Sequence, residues 1–156
     1  RNISCLWVLL VINARGIARL ILRPHRKRLY YGFYVIGLAS VLVVLANLGL
    51  QPWGAYVVQW WLWDAGAGHW TWCGTPWIAF LGWGTTTLVT LAVATPWLLN
   101  KKPVKQPTDW HPLVLGLLLG GLCSLGNLRE GQSLAGFTGL GLSVVVGALA
   151  IRGGRW

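Results

Sequence analysis

Four long apolar segments constrain this 156-residue chain more than any other feature of its sequence. They cover residues 30–50, 76–99, 111–128 and 133–151. Roughly 20 helical residues cross the hydrocarbon core of a bilayer, so each segment is long enough to span a membrane as a helix. The composition, 55% apolar and 10% charged residues, also lies outside the usual range of soluble domains. The sequence therefore predicts an all-α integral membrane protein.

A fifth span is predicted at the N-terminus, over residues 3–22. This segment has spanning length but carries Asn13, Arg15 and Arg19 in its second half, so these side chains must face protein or the interface. The prediction is thus about five transmembrane helices in a single polytopic domain, residues 1–156. Because the chain starts at Arg1 and contains no Met, we expect it to be the C-terminal part of a longer chain.

The basic residues predict the orientation of the chain. They outnumber the acidic residues 13 to 3 and cluster at 23–28, at 101–105, and at Arg152 and Arg155. Threading the spans alternately places all three clusters on one side, which the positive-inside rule assigns to the cytoplasm together with the C-terminus. This placement favours contact with anionic lipids over binding of nucleic acid.

The cysteines and the known short motifs exclude several kinds of site. Cys5, Cys73 and Cys123 have no paired spacing for a disulfide, zinc or iron–sulfur site, and no metal site is predicted. There is no phosphate loop, no His-Glu zinc motif and no Gly-x-Ser-x-Gly elbow. Nucleotide-binding, protease and hydrolase functions therefore have no support in the sequence.

The segment 59–83 holds seven of the twelve tryptophans around one carboxylate, Asp64, and one histidine, His69. One interpretation is an aromatic belt in a connection that begins at residue 51 and lies along the membrane interface, with indole rings in lipid and their N–H groups in water. The other is a groove for a long apolar ligand, with Asp64 and His69 at its mouth. The candidate ligand-binding residues are Asn47, Gln51, Trp60, Trp61, Trp63, Trp70, Trp72, Trp77 and Trp83.

Five motifs in order along the chain carry a resemblance to a known family. They are YYGFYVIGLASVLVVLANLGLQPW, YVVQWWLWD, WCGTPWIAFLGW, ATPWLLNKKP and the terminal AIRGGRW. Together they resemble the membrane carotenoid-biosynthesis proteins that include the cyanobacterial-type carotenoid 1,2-hydratase (γ-carotene 1′-hydroxylase). The resemblance implies a multi-helix enzyme that adds water to the terminal double bond of a ψ-end carotenoid and requires no cofactor. It also implies a thylakoid or bacterial inner membrane as the location.

The chain departs from this family pattern at positions that matter for the chemistry. Where the pattern carries an Asp and then a Glu before the proline, this chain has Asn47 and Gln51, and an expected Asn is Ala79. Hydration begins by protonating an alkene, which requires a strong acid in a dry pocket. An amide cannot supply that proton.

Two hypotheses follow from these departures. The chain is either an active hydratase, with Asp64 as acid and His69 or a bound water as base, or a non-catalytic relative that binds carotenoid as a subunit of a photosynthetic membrane complex. The missing acids favour the second. In that role carotenoid, lipids and photosynthetic subunits are the expected partners. Chlorophyll ligation by His69 or His111 is disfavoured, because an isolated interfacial histidine is usually solvated.

Overall fold

The computed structural model describes residues 3–63, 70–98 and 107–156. Five helices within these ranges are long and apolar enough to cross a membrane, which confirms the predicted class of an all-α integral membrane protein. They are α1 (Ile3–Ile21), α2 (Tyr31–Pro52), α3 (Trp77–Leu98), α4 (His111–Arg129) and α5 (Ser133–Gly154).

Four of the helices, α1, α2, α4 and α5, pack against one another as a bundle, and α3 packs mainly on the outside of α2. Small residues allow close approach within the bundle. Gly153 of α5 lies against the backbone of Leu20 and Ile21 in α1, and Gly139 of α5 lies against Ser124 of α4. Such small residues are typical of helix contacts in membranes, where packing rather than hydrophobic burial drives association.

One end of the bundle collects the described basic residues apart from Arg129, and we call it the basic end. The end of α1, the 3₁₀ turn Arg23–His25, the starts of α2 and α4 and the end of α5 all meet here. Arg23 donates a hydrogen bond to Thr108, whose hydroxyl donates to the carbonyl of Gly154 at 3.4 Å. The alternate threading predicted for the spans is therefore present, whereas the predicted basic cluster at 101–105 lies outside the described residues.

At the opposite end, which we call the tryptophan end, the helical chain continues further than the sequence indicated. Instead of leaving the helix at residue 51, the chain stays helical through Pro52 and adds a π-helical turn, Trp53–Val57. The predicted start of the interfacial connection at residue 51 is therefore wrong. Proline is tolerated in membrane helices when another group bonds the carbonyl that it leaves unpaired, and the indole of Trp72 does so here.

A short hairpin leads from the tryptophan-rich connection into α3. Strand β1 (Thr71–Trp72) pairs antiparallel with β2 (Thr75–Pro76). The two residues between the strands, Cys73 and Gly74, have φ angles of 45° and 77°. Positive φ at both central residues is the signature of a type I′ turn, which matches the twist of a two-residue hairpin. The tight turn sets the direction in which α3 starts.

Candidate functional site at the tryptophan end

Asn47 and Gln51 form a buried chain of hydrogen bonds along the last turns of α2. Their side chains are 0% and 1% exposed. Asn47 Nδ2 donates to the carbonyl of Val43 at 2.8 Å, and Gln51 Nε2 donates to Asn47 Oδ1 at 3.0 Å. The indole Nε1 of Trp63 donates to Gln51 Oε1 at 3.2 Å. We call the side chains of Asn47, Gln51 and Trp63 the amide chain. It carries no charge, and the side-chain oxygens of Asn47 and Gln51 each accept a hydrogen bond within it.

Trp63 and Trp72 attach both flanks of residues 64–69 to the same turn of α2. Trp63 bonds to Gln51, and Trp72 Nε1 donates to the carbonyl of Leu48 at 2.9 Å. Trp63 and Trp72 are therefore both held beside the C-terminal end of α2. Asp64 and His69, the predicted acid and base, lie outside the described residues, so their roles stay predictions.

Asn127 of α4 joins the same region, although the sequence analysis did not select it. Its side chain is 0% exposed, and its Nδ2 donates to the carbonyl of Gly49 at 2.8 Å. One helical turn earlier, Ser124 is also fully buried, and its hydroxyl has no partner among the described residues. The sequence does carry a signal for Asn127, because an isolated amide near the end of an apolar span needs a hydrogen-bond partner inside the protein.

The aromatic rings form two groups around the end of α2. In the first, Trp53 contacts Trp60 edge to face at 5.4 Å between ring centroids, and Trp60 lies 6.2 Å from Trp61. In the second, Trp77 lies 6.3 Å from Trp72 and 5.2 Å from Phe80. These distances are typical of favourable aromatic pairs. Trp53 is the buried member of the first group, and it is a further residue that the sequence analysis did not select.

Two of the predicted ligand-binding residues, Trp70 and Trp83, lie outside both the amide chain and the aromatic groups. Trp70 is 85% exposed, and its backbone carbonyl accepts the N–H of Trp77 at 3.3 Å. Trp83 is half-buried and packs on the apolar core of the bundle. The structure thus brings together Asn47 and Gln51 with Trp60, Trp61, Trp63, Trp72 and Trp77, but not with Trp70 or Trp83.

The carboxylates of the described residues are Asp109 and Glu130, and both are exposed. Asp109 lies at the basic end, where its Oδ1 accepts the backbone N–H of His111 at 3.0 Å, and Glu130 follows α4 at the tryptophan end. Within the described ranges, no three His, Cys, Asp or Glu side chains form a metal-binding group. The described part of the site therefore offers aromatic faces and neutral hydrogen bonds, but no buried acid.

A cavity of about 100 Å³ lies between α1, α2, α4 and α5. Leucine is its most frequent lining residue, and Asn13, Ser124 and Ser143 are its polar members. Pockets for ligands of moderate size usually measure about 300–1,000 Å³. This cavity is therefore too small to enclose a long polyene.

Five spanning helices with an aromatic connection over one end define a polytopic helical membrane protein. Residues 2–151 match the family model of the carotenoid biosynthesis proteins, and the chain belongs to this family. The resemblance drawn from the five sequence motifs is thereby confirmed. No match was found among curated proteins or among solved structures.

Proposed function

We propose that this protein binds a carotenoid at the tryptophan end and along α3 without hydrating it, as a pigment-associated subunit of a photosynthetic membrane. The observation that carries the proposal is the amide chain. Its two amides, Asn47 and Gln51, occupy the buried positions of α2 where the family pattern has carboxylic acids.

The amide chain is unsuited to proton transfer. A buried carboxylic acid has a raised pKa and can protonate an alkene, whereas a carboxamide stays neutral and keeps its protons. Asn47 and Gln51 instead bond to each other and to Trp63, which holds the connection against the bundle. These positions therefore serve as a structural attachment.

Carotenoid binding requires apolar area and aromatic faces, and α3 presents both. This helix packs mainly on α2, so one of its faces stays uncovered over most of its length. At 100° per residue, the uncovered apolar side chains fall within about 160° of the helix circumference, so they form one broad face. They are Trp77, Ile78, Leu81, Leu88, Val89 and Val93. Because this face lies in lipid, a pigment there would be held by van der Waals packing and aromatic contact rather than by burial from water.

The same uncovered face supports the role as a subunit. A helix with so little contact inside its own chain has room for a pigment, for a neighbouring helix, or for a pigment held between the two. The basic end would face the cytoplasm or its equivalent in a thylakoid or bacterial inner membrane, in keeping with the positive-inside rule.

The test is expression of the protein in a bacterial strain that accumulates lycopene or γ-carotene, with mass spectrometry of the extracted pigments. We expect no 1-hydroxylated product, because the buried positions lack an acid. An active hydratase of the family in the same strain is the positive control. Product that disappears on Asp64→Asn would contradict the proposal and make the protein a hydratase with Asp64 as its acid.

Restoring the acids tests the reason for inactivity. The double variant Asn47→Asp with Gln51→Glu should gain detectable hydration if the two amides are what prevents it. A matched control, Asn127→Asp, adds a buried acid beside the same turn of α2 but at a position outside the amide chain. If Asn127→Asp yields hydroxylated carotenoid and the double variant does not, then the lack of acids at positions 47 and 51 is not the reason for inactivity.

A further inference from the structure

A second cavity, of about 150 Å³, lies at the basic end, far from the amide chain. It lies between the end of α1, the 3₁₀ turn, the start of α2 and the segment that enters α4. We propose that it binds a phosphate group, carried either by an anionic phospholipid headgroup or by a soluble phosphate. The lining side chains that matter are Arg19, Arg23, Arg26, Tyr31, Thr108 and Asp109.

The charges in the cavity favour an anion. Three guanidinium groups line it against one carboxylate, and that carboxylate already accepts the backbone N–H of His111 at 3.0 Å. Arg23 is held by its hydrogen bond to Thr108, whereas Arg19 and Arg26 are exposed at the cavity. Guanidinium groups suit phosphate because their planar fork donates two parallel hydrogen bonds to its oxygens. A bound phosphate would also offset the mutual repulsion of the three arginines.

Two helix starts strengthen the positive potential. Tyr31 is the first residue of α2, and Pro112 lies in the first turn of α4; both line the cavity. The positive ends of two helix dipoles therefore adjoin the arginines. Phosphate is a common ligand of such helix ends.

The size and position of the cavity suit a headgroup. At about 150 Å³ it is smaller than the roughly 300–1,000 Å³ of pockets that enclose a drug-sized ligand, so a single phosphate with part of its substituent fits better. Exposed apolar side chains nearby, Leu29, Tyr30 and Phe33, could contact acyl chains. Basic pockets between helices on the cytoplasmic side of membrane proteins bind anionic headgroups in this manner.

The test compares two double variants that remove equal charge. Arg19→Gln with Arg26→Gln removes two guanidinium groups from the cavity. Lys27→Gln with Arg28→Gln removes two exposed cations from the same connection, and neither residue lines the cavity. Native mass spectrometry of the detergent-purified full chain then compares how much phosphatidylglycerol and how much phosphatidylcholine each variant retains. A parallel titration with inorganic phosphate, followed by thermal unfolding, tests the soluble source.

We expect the cavity variant to lose phosphatidylglycerol binding by about tenfold or more, since each hydrogen bond to a charged group contributes roughly that factor. The control variant should stay within about twofold of the unmodified protein. Stabilisation by inorganic phosphate that the cavity variant loses would identify a soluble source instead of a lipid. Equal losses in the two double variants, or no loss of either ligand in the cavity variant, would overturn the proposal. The single variant Arg26→Gln, in an exposed turn, gives the same comparison if the double variant fails to fold.

Discussion

At the residue scale, Pro52 removes one backbone donor from the last turn of α2, so the carbonyl of Leu48 needs another partner. In a regular helix that carbonyl would accept the N–H of residue 52. The indole N–H of Trp72 donates to it instead, at 2.9 Å. A residue 24 positions away thus completes the helix, and the same bond fixes the hairpin that leads into α3.

The Trp72→Phe variant removes this bond and keeps the aromatic ring. We expect the free energy of unfolding in detergent to fall by about 1–3 kcal/mol, because a carbonyl in a buried turn loses its donor. The matched control is Trp70→Phe, at an exposed ring whose indole forms no hydrogen bond in the described structure, and it should change stability by less than about 0.5 kcal/mol. Equal effects of the two substitutions on the thermal unfolding midpoint would contradict this role of Trp72.

At the element scale, the spans could be predicted from the sequence and the end of α2 could not. Apolar length identifies a spanning helix, because a helix is the element that pairs its backbone groups within a single segment. The helix continues through Pro52 because Trp72 bonds the carbonyl that the proline leaves free, and Gln51 is buried with Trp63 as its partner. Both contacts join residues that are distant in the sequence, so no local pattern indicates them. The tryptophans were recognisable as a group, but only the folded chain separates Trp70 from those around α2.

The contact between α1 and α5 depends on Gly153. A Cβ atom there would meet the carbonyl oxygens of Leu20 and Ile21, which are backbone and cannot move aside as a flexible side chain could. Gly153→Ala should therefore lower the free energy of unfolding by about 1–3 kcal/mol. Gly141→Ala on the same helix is the control, because a Cβ atom there meets open space and alanine is the better helix former. Thermal unfolding in detergent should show loss only for Gly153→Ala, and an equal loss at Gly141 would show that the effect is not specific to this contact.

At the scale of the whole molecule, most of the described basic residues lie at one end of the bundle and most of the described tryptophans lie at the other. Arginines from α1, the 3₁₀ turn and α5 lie at the basic end, whereas Arg129 ends α4 and Glu130 follows it at the tryptophan end. This separation predicts one orientation in the membrane, with the basic end toward the cytoplasm.

Cysteine labelling tests the orientation. In a background with Cys5, Cys73 and Cys123 replaced by alanine, single cysteines at Lys27 and Glu130 report on the two ends. A membrane-impermeant maleimide should label Lys27→Cys only from the cytoplasmic side and Glu130→Cys only from the other. Labelling of both cysteines from one side would contradict the threading of the spans.

The central claim is that the protein holds a carotenoid and leaves its double bonds unchanged. The most direct measurement is the mass of the pigment extracted from protein purified out of a lycopene-accumulating strain. We predict co-purified lycopene at its unmodified mass, and reduced pigment when Trp77 and Leu81 on the uncovered face of α3 are both replaced by alanine. A bound pigment heavier by one water molecule, or protein that purifies folded but without pigment, would contradict the account.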